Sequence, residues 1–397
     1  MVTGDPDTTV ILSSARTPIG RFNGSLASKA APELAGHAIK AALERAGVSA
    51  DSVSQVILGQ VLPAGVGQNP ARQAAVSAGI PMTIPALSVN KVCLSGLTAI
   101  GLADSLLRGG AAEVIVAGGM ESMSRAPHLL PGSRTGHKYG DAALIDHLAY
   151  DGLTDAYDEI SMGESTERHL AGTGISRADQ DAFAAESHQR AAKAADKLAS
   201  EIAPIEVPAG RKETKILDAD EGIRADTTAE GLGKLRPAFA KDGTITAASA
   251  SQISDGAAAL VLTTKRYAEA NGLSYVGEIL SYATVAGPDN GLLHQPSNAI
   301  NAALELSGHT VADLDVVEIN EAFAAVALAS AKDLGIDLDK VNPNGGAIAL
   351  GHPIGASGAR LPIALLTELV SRGGGLGAVA LCGGGGQGDA LIVRAGA

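Results

Sequence analysis

Residues 88–96 read Ser88-Val89-Asn90-Lys91-Val92-Cys93-Leu94-Ser95-Gly96, and they join an apolar strand-like run to a helical pattern. Apolar residues follow at helical spacing at Leu94, Leu97, Ile100, Ala103 and Leu107. Gly109-Gly110 ends the pattern. Because this helix has almost no polar face, we expect it to be buried between two layers of structure.

Cys93 comes at the start of this helix. Free backbone N–H groups and the helix dipole favour a thiolate there, which predicts a lowered pKa for the thiol. The N–H of Cys93 could also donate to an oxyanion. The alternative is that Cys93 is a small buried hydrophobic residue, as single cysteines often are.

The composition excludes several classes of protein. The chain has 397 residues, a net charge of −13 and a pI near 5.1, whereas nucleic acids and anionic membranes attract basic surfaces. It has no tryptophan, so it lacks one of the stacking residues that proteins binding single-stranded nucleic acids use. Its two cysteines are 289 positions apart, which indicates a reducing compartment rather than a disulfide scaffold. Residues 1–5 lack the features of a secretion signal, and no apolar run could span a membrane. We therefore expect a soluble, cytoplasmic protein without nucleic-acid or membrane partners.

Strand and helix patterns alternate in the first third of the chain. Strands are predicted at residues 9–13, 56–58, 84–89 and 113–119, and helices at 32–46 and 71–78. Such alternation predicts a largely parallel sheet covered on both faces.

A polar insertion interrupts this pattern. Of residues 151–240, 29 are Asp, Glu, Lys or Arg, against 18% in the whole chain. Ser176-Arg177-Ala178-Asp179 predicts a capping box that opens a long helix reaching about Leu198. The apolar pattern returns near Ser254, with a strand over residues 258–263.

Residues 274–397 repeat the first part of the chain. Residues 304–321 resemble 43–60, 355–358 resemble 93–96, and 377–384 resemble 113–119. Two α/β units of this kind can stack with their buried helices in a shared middle layer. We predict a first unit of residues 1–122 plus 254–273, an inserted domain of 123–253 and a second unit of 274–397, with the site where the units meet.

Three residues of the second unit are candidates for that site. His352 enters the repeated helix from a glycine-rich loop, Cys382 ends an apolar strand, and Asn320 follows a strand. Each could instead be structural. The glycines at 383–388 precede a strand, so they predict a turn that lets backbone approach a substrate rather than a dinucleotide-binding loop. Neither cysteine has the spacing of a metal ligand, and we expect neither a metal nor a cofactor.

Five motifs resemble those of the thiolase family, in the same order and along nearly the whole chain. They are Asn90-Lys91-Val92-Cys93-Leu94-Ser95-Gly96, residues 118–124 (Gly118-Gly119-Met120-Glu121-Ser122-Met123-Ser124), Asn320-Glu321-Ala322-Phe323, residues 345–358 around Gly351-His352-Pro353, and Cys382-Gly383-Gly384-Gly385. The resemblance implies an α/β thiolase fold, with two βαβαβαββ-type halves stacked as a five-layer α-β-α-β-α sandwich and an inserted loop domain.

The resemblance also implies roles for the candidate residues. Cys93 matches the nucleophile, His352 the base that activates it, and Cys382 the acid/base for the second substrate. One oxyanion hole would comprise His352 and a water held by Asn320. The N–H groups of Cys93 and Gly384 would form the other.

A binding site for coenzyme A (CoA) is implied in the insertion. The residues that match substrate-contacting or pocket positions of the family are Arg224, Ser251, Met162, Phe239, Phe323 and Leu292. Leu292 replaces a methionine near the acyl pocket, Ser161 stands where relatives often have histidine, and Gly231 replaces a serine that contacts CoA. These departures bear on the preferred acyl length.

The implied activity is acyl transfer between CoA thioesters, with acetyl-CoA, acetoacetyl-CoA and CoA as partners. A homotetramer built as a dimer of dimers is implied as well. Two alternatives are a degradative 3-ketoacyl-CoA thiolase of fatty-acid β-oxidation that accepts longer chains, and a CoA or lipid carrier without catalysis. Oxidation could also join Cys93 to Cys382 as a redox switch.

Overall fold

Two α/β units of like topology make up the fold in the computed structural model, which describes residues 5–396. The first unit contains β1 (Thr9–Arg16), β2 (Gln55–Gly59), β3 (Ala86–Val89), β4 (Val114–Ser122), β5 (Ser254–Thr264), α1 (Ala31–Ala46), α2 (Pro70–Ser77) and α3 (Ser95–Arg108). The predicted elements are all present, with ends shifted by three residues or fewer, apart from the longer β5. Residues 1–4, which were read as lacking a secretion signal, lie outside the described residues.

The insertion between β4 and β5 contains α4 (Met162–Leu170), α5 (Arg177–Lys193) and α6 (Ala195–Glu201). The capping box is confirmed: the Ser176 side chain accepts the N–H of Asp179, whose carboxylate accepts the N–H of Ser176. The predicted single helix to Leu198 is wrong, because the chain leaves helical geometry at Ala194. Packing of Ala194 and Leu198 against the second unit overrides the local helical preference there.

A buried ion network ties the insertion to β1. Arg16 is 1% exposed, and its guanidinium donates to Asp220 at 2.7 and 2.9 Å and to Glu201 at 2.7 Å. Removing one partner of such a buried pair typically costs about 3–5 kcal/mol, because it leaves a charge without compensation. The network therefore fixes the insertion against the first unit.

The second unit repeats the first. It contains β6 (Gly277–Ala286), α7 (Gln295–Ser307), β7 (Val316–Ile319), α8 (Ala324–Leu334), α9 (Ile354–Ser371), β8 (Gly375–Gly383) and β9 (Gln387–Ala395). The strand order is β1-β5-β4-β2-β3 in the first unit and β6-β9-β8-β7 in the second. In the second unit, Val341 forms a parallel bridge with Val317 of β7. This bridge corresponds to the pairing of β3 with β2 in the first unit. The duplication predicted from the sequence is therefore present in the topology.

The sheet is mixed, so the predicted largely parallel sheet is wrong. Parallel pairing occurs between β2 and β3, between β2 and β4, and between β7 and β8. After the insertion, β5 returns antiparallel between β1 and β4, and β9 follows β8 through a tight turn that requires antiparallel pairing. Short pairing of β1 with β6 joins the two units.

The core has the layers that the resemblance implies. Along β4, Val114 and Val116 face a cluster beneath α1 and α2, whereas Ile115 and Ala117 face a middle cluster. That middle cluster contains α3 and α9, and a third cluster lies beneath α7 and α8. The architecture is therefore α-β-α-β-α, with α3 and α9 in the central layer.

Glycines allow α3 and α9 to approach closely at their N-terminal ends. A Cβ on Gly96 would lie 2.8 Å from the backbone nitrogen of Ala359, and one on Gly358 would lie 2.3 Å from that of Leu97. Real Cβ atoms do not approach backbone this closely, so both positions need glycine. This contact brings the start of α3, near Cys93, beside the start of α9, near His352.

Candidate active site

A strained turn presents Cys93 just before α3. Val92 has a φ of 50°, a conformation that costs a β-branched residue about 1–3 kcal/mol. The Asn90 side chain accepts the N–H of Val92 at 3.0 Å. Ser95 Oγ accepts the N–H of Lys91 at 2.9 Å and donates to the carbonyl of Val92 at 2.6 Å. These hydrogen bonds hold the turn against its strain and fix the direction of Cys93.

Two backbone N–H groups act on the thiol of Cys93, its own and that of Gly384. Both favour the thiolate, but burial outweighs them and raises the pKa of Cys93 to about 11, with a smaller contribution from the Glu121 carboxyl. The expected lowering of this pKa is therefore wrong for the free protein. Cys93 lies two residues before the first residue of α3, and no cation within residues 5–396 lowers its pKa enough to offset burial.

Cys382 belongs to the second unit and lies within electrostatic reach of Cys93. It ends β8 opposite Gly388, and the chain turns through glycines into β9, as the glycine pattern predicts. Cys382 is buried, whereas Cys93 is partly exposed. Burial raises the pKa of the Cys382 thiol, and the nearby Cys93 raises it further. The two thiols are therefore near enough to interact electrostatically, and the next residues in the chain are in contact, since a Cβ on Gly383 would lie 2.7 Å from Leu94 Cγ. Cys382 is protonated at neutral pH.

His352 is buried in front of α9 in a defined tautomer. Its Nδ1 lies 2.6 Å from Ser357 Oγ, which donates to the carbonyl of Pro353 at 3.1 Å. Nδ1 therefore carries the hydrogen and Nε2 keeps its lone pair. Burial and the charge of Arg360 lower the pKa of His352 to about 4. The imidazole is neutral at physiological pH and able to accept a proton at Nε2.

Asn320 lies beside that nitrogen. Its Nδ2 is 3.4 Å from His352 Nε2, and its own N–H is held by the carbonyl of Ala380 at 3.0 Å. Asn320 Oδ1 is buried, and no residue in the described part of the chain donates to it. A buried acceptor of this kind is well suited to holding a water or a polar substrate group.

A cavity of about 620 Å³ contains most of the predicted CoA-site residues. Its lining includes Ser161, Met162, Phe239, Ser251 and Phe323. The rings of Phe239 and Phe323 meet edge to face at 5.8 Å.

Two further predicted residues, Leu292 and Arg224, do not line this cavity. Leu292 packs in the same apolar cluster as Met162, Phe323 and Cys382. Arg224 is exposed and does not line the cavity, although its N–H is held by His188 Nδ1 at 3.1 Å. The contact of Arg224 with CoA therefore stays a prediction.

Two supporting residues were not recognised from the sequence. Ser357 sets the tautomer of His352 from the first turn of α9. Glu121 is fully buried at the end of β4, and its carboxylate accepts the N–H groups of Val61, Leu62 and Gly355 at 2.9, 3.1 and 3.0 Å. An acidic residue that ends an apolar strand was the signal that could have indicated Glu121.

Comparison with known proteins agrees with this geometry. The family model for the thiolase N-terminal domain matches residues 9–266, and that for the thiolase C-terminal domain matches residues 273–395. The chain belongs to the thiolase family.

Relatives of this thiolase have similar lengths. It is 57% identical over 387 residues to a "Probable acetyl-CoA acetyltransferase" of Mycolicibacterium smegmatis, which covers 97% of this chain and 100% of the relative. It is 52% identical to the "Acetyl-CoA acetyltransferase" of Chromobacterium violaceum, over 97% of this chain and 98% of the relative. The crystal structure of the Bacillus anthracis acetyl-CoA acetyltransferase matches with a TM-score of 0.94, at 39% identity and 98% coverage of both chains.

These relatives establish the class of this thiolase. It is an acyltransferase, so the alternative of a carrier without catalysis is wrong. In residues 5–396, the structure contains no cluster of three or more His, Cys, Asp or Glu side chains that could hold a metal ion.

The neutral state of His352 can be measured directly. We expect NMR of protein labelled in its histidine rings to show His352 titrating with a midpoint near pH 4, because burial and Arg360 oppose protonation. The His352→Gln variant assigns the signal. A midpoint near 6.5, the ordinary value, would contradict the described environment.

Proposed function

We propose that this thiolase is an acetyl-CoA C-acetyltransferase, which reversibly condenses two molecules of acetyl-CoA into acetoacetyl-CoA and CoA. The observation that carries the proposal is that the residues flanking Cys93 contact Gly383 and Gly384 beside Cys382 of the other unit, with a neutral His352 just before α9. The names of the relatives support acetyl-CoA as the substrate.

Cys93 performs the first half of the reaction as nucleophile. Its proton passes to His352 Nε2 while the sulfur attacks the thioester carbon of acetyl-CoA. The N–H groups of Cys93 and Gly384 stabilise the oxyanion, and loss of one such donor typically costs about 10²–10³ in rate. The bond from carbon to the CoA sulfur breaks, and His352 returns the proton to CoA. A neutral imidazole suits this exchange because it can both accept and return a proton.

Cys382 performs the proton transfer of the second half. Its thiol first passes its proton to the neutral His352, and the resulting thiolate removes a proton from the methyl group of the second acetyl-CoA, while His352 and a water held by Asn320 stabilise the enolate oxygen. The enolate carbon attacks the acetyl group on Cys93, and the Cys93 sulfur leaves and takes the proton from His352. In the thiolytic direction, the Cys382 thiol donates a proton to the departing enolate. Its raised pKa keeps this proton available.

The surroundings of the sulfurs support a short acyl group. Leu292, Met162 and Phe323 pack in one apolar cluster with Cys382, and Met162 and Phe323 also line the cavity. A second cavity of about 670 Å³ is lined by Met162 and Gly384, but its lining also includes Asp155 and Glu159, whose carboxylates disfavour an alkyl chain. The alternative, a degradative 3-ketoacyl-CoA thiolase, requires room for such a chain.

The assembly and location that we propose are a homotetramer in the cytoplasm. Among the helices of residues 5–396, none has both the length and the apolar composition needed to cross a membrane.

Two cysteine variants separate the two half-reactions. Cys93→Ala should abolish formation of the acetyl-enzyme from acetyl-CoA, as read by mass spectrometry of the intact protein. Cys382→Ala should still become acetylated, while its condensation rate falls by about 10²–10⁴, the usual contribution of a general acid or base. Normal condensation by Cys382→Ala would contradict its assigned role.

Acyl length separates the proposal from the degradative alternative. We expect kcat/KM for thiolysis to be highest with acetoacetyl-CoA and to fall steeply from C4 to C10 substrates. Leu292→Ala should flatten this decline because it frees volume in the apolar cluster around Cys382, and Leu292→Met serves as a control of similar volume. Equal kcat/KM values from C4 to C10 in the unmodified protein would favour the degradative alternative.

A further inference from the structure

We infer that Asp389 is a positioning residue for Cys93: it holds Lys91 across the junction of the two units and thereby fixes the turn that aims the nucleophile. The inference rests on the proposed role of Cys93. It concerns a residue outside the family motifs quoted above.

Asp389 is a fully buried carboxylate on β9 whose partners come from both units. It accepts hydrogen bonds from Lys91 Nζ, Thr98 Oγ1 and Tyr282 Oη, each at 2.7 Å. Lys91 Nζ also donates to Thr284 Oγ1 at 2.5 Å. Lys91 and Thr98 belong to the first unit, and the other residues belong to the second. This cluster, which we call the junction clamp, therefore joins the units through the Asp389 carboxylate and its ion pair with Lys91.

The junction clamp acts on both cysteine-bearing segments. Lys91 precedes Cys93 by two residues and is separated from it only by the strained Val92. Asp389 pairs with Leu381 across the β8–β9 hairpin, next to the pairing of Cys382 with Gly388. One ion pair thus links the nucleophile turn to the hairpin that carries Cys382 and Gly384.

The contact that depends on this link is the approach of Gly384 to the nucleophile turn, because it crosses the junction: a Cβ on Gly384 would lie 3.5 Å from Val92 Cγ1, and the Gly384 N–H favours the Cys93 thiolate. The local hydrogen bonds of Asn90 and Ser95 shape the turn, but they lie within the first unit and cannot set its distance from Gly384. If the clamp opens, the turn can shift and the donor is lost. The thiolate of Cys93 then forms less readily, and the thioester oxygen loses a partner.

If Lys91 and Asp389 acted on Cys93 only through their charges, the two substitutions would have opposite effects. Removing the positive charge of Lys91 would disfavour the Cys93 thiolate, whereas removing the negative charge of Asp389 would favour it. Positioning predicts losses of the same sign for both changes, because either one opens the clamp.

The test compares Lys91→Met, Asp389→Asn, the double variant and Lys91→Arg. Two rates are measured: alkylation of Cys93 by iodoacetamide at one fixed pH, with the adduct located by mass spectrometry, and formation of the acetyl-enzyme from acetyl-CoA. The matched control is Lys265→Met. It removes a different ion pair between the units, from Lys265 to Glu278 at 2.9 Å.

We expect both single variants to lower both rates by about tenfold or more, and the double variant to be no slower than the slower single, since both open one clamp. Lys91→Arg should recover most of the rate, and Lys265→Met should stay within about twofold of the unmodified protein. If Asp389→Asn does not fold, Thr98→Val and Tyr282→Phe replace it: each removes one hydrogen bond to Asp389 without changing a charge, so positioning predicts a loss of both rates and a purely electrostatic role predicts none.

Rate changes of opposite sign, additive losses in the double variant, an equal loss in Lys265→Met or no recovery in Lys91→Arg would each overturn the inference. Failure of the proposed function has a separate signature. The unmodified protein would then form no acetyl-enzyme, while alkylation of Cys93 would still report on the clamp.

Discussion

The structure depends on the close contact of α3 with α9. Both helices are buried in the central layer, and Gly96 and Gly358 let their backbones meet near their N-termini. Because each helix begins beside a reactive residue, the contact places the segment of Cys93 next to that of His352. The duplicated topology makes this possible, since equivalent helices from the two units meet about a shared centre.

Burial sets the protonation states of the site. It raises the pKa of both cysteines and lowers that of His352, so the resting site consists of neutral groups. In such a site, negative charge develops on the substrate oxygen only during the reaction, and the backbone N–H groups are already positioned to stabilise it. The buried Glu121 shows the same use of backbone N–H groups, because three of them surround its carboxylate and one comes from the start of α9.

Much of the fold could be predicted from the sequence, because apolar periodicity and the internal repeat specify the elements and their stacking. The direction of strand pairing could not, since β5 returns to the sheet only after a long insertion. The break at Ala194 was missed for a similar reason, as distant packing overrides local preference there.

The candidate site was predicted with similar limits. Family motifs indicated Cys93, His352 and Cys382, and the structure places the segments of the two cysteines in contact through Leu94 and Gly383. The raised pKa of Cys93 could not be predicted, because it depends on how deeply the site is buried. Ser357 was missed because it lies within an otherwise apolar helical pattern. Asp389 was missed because its contacts join segments that are far apart in the chain.

The central claim is that sulfurs from opposite units share one site, and a bridging reagent tests it most directly. Dichloroacetone links two thiols only if they are close, and the chain has just two cysteines. The account predicts, by peptide mass spectrometry of the monomer band, one bridge within a single chain from Cys93 to Cys382, and protection of both thiols by acetyl-CoA. Separate single adducts, or bridges only between chains, would contradict it.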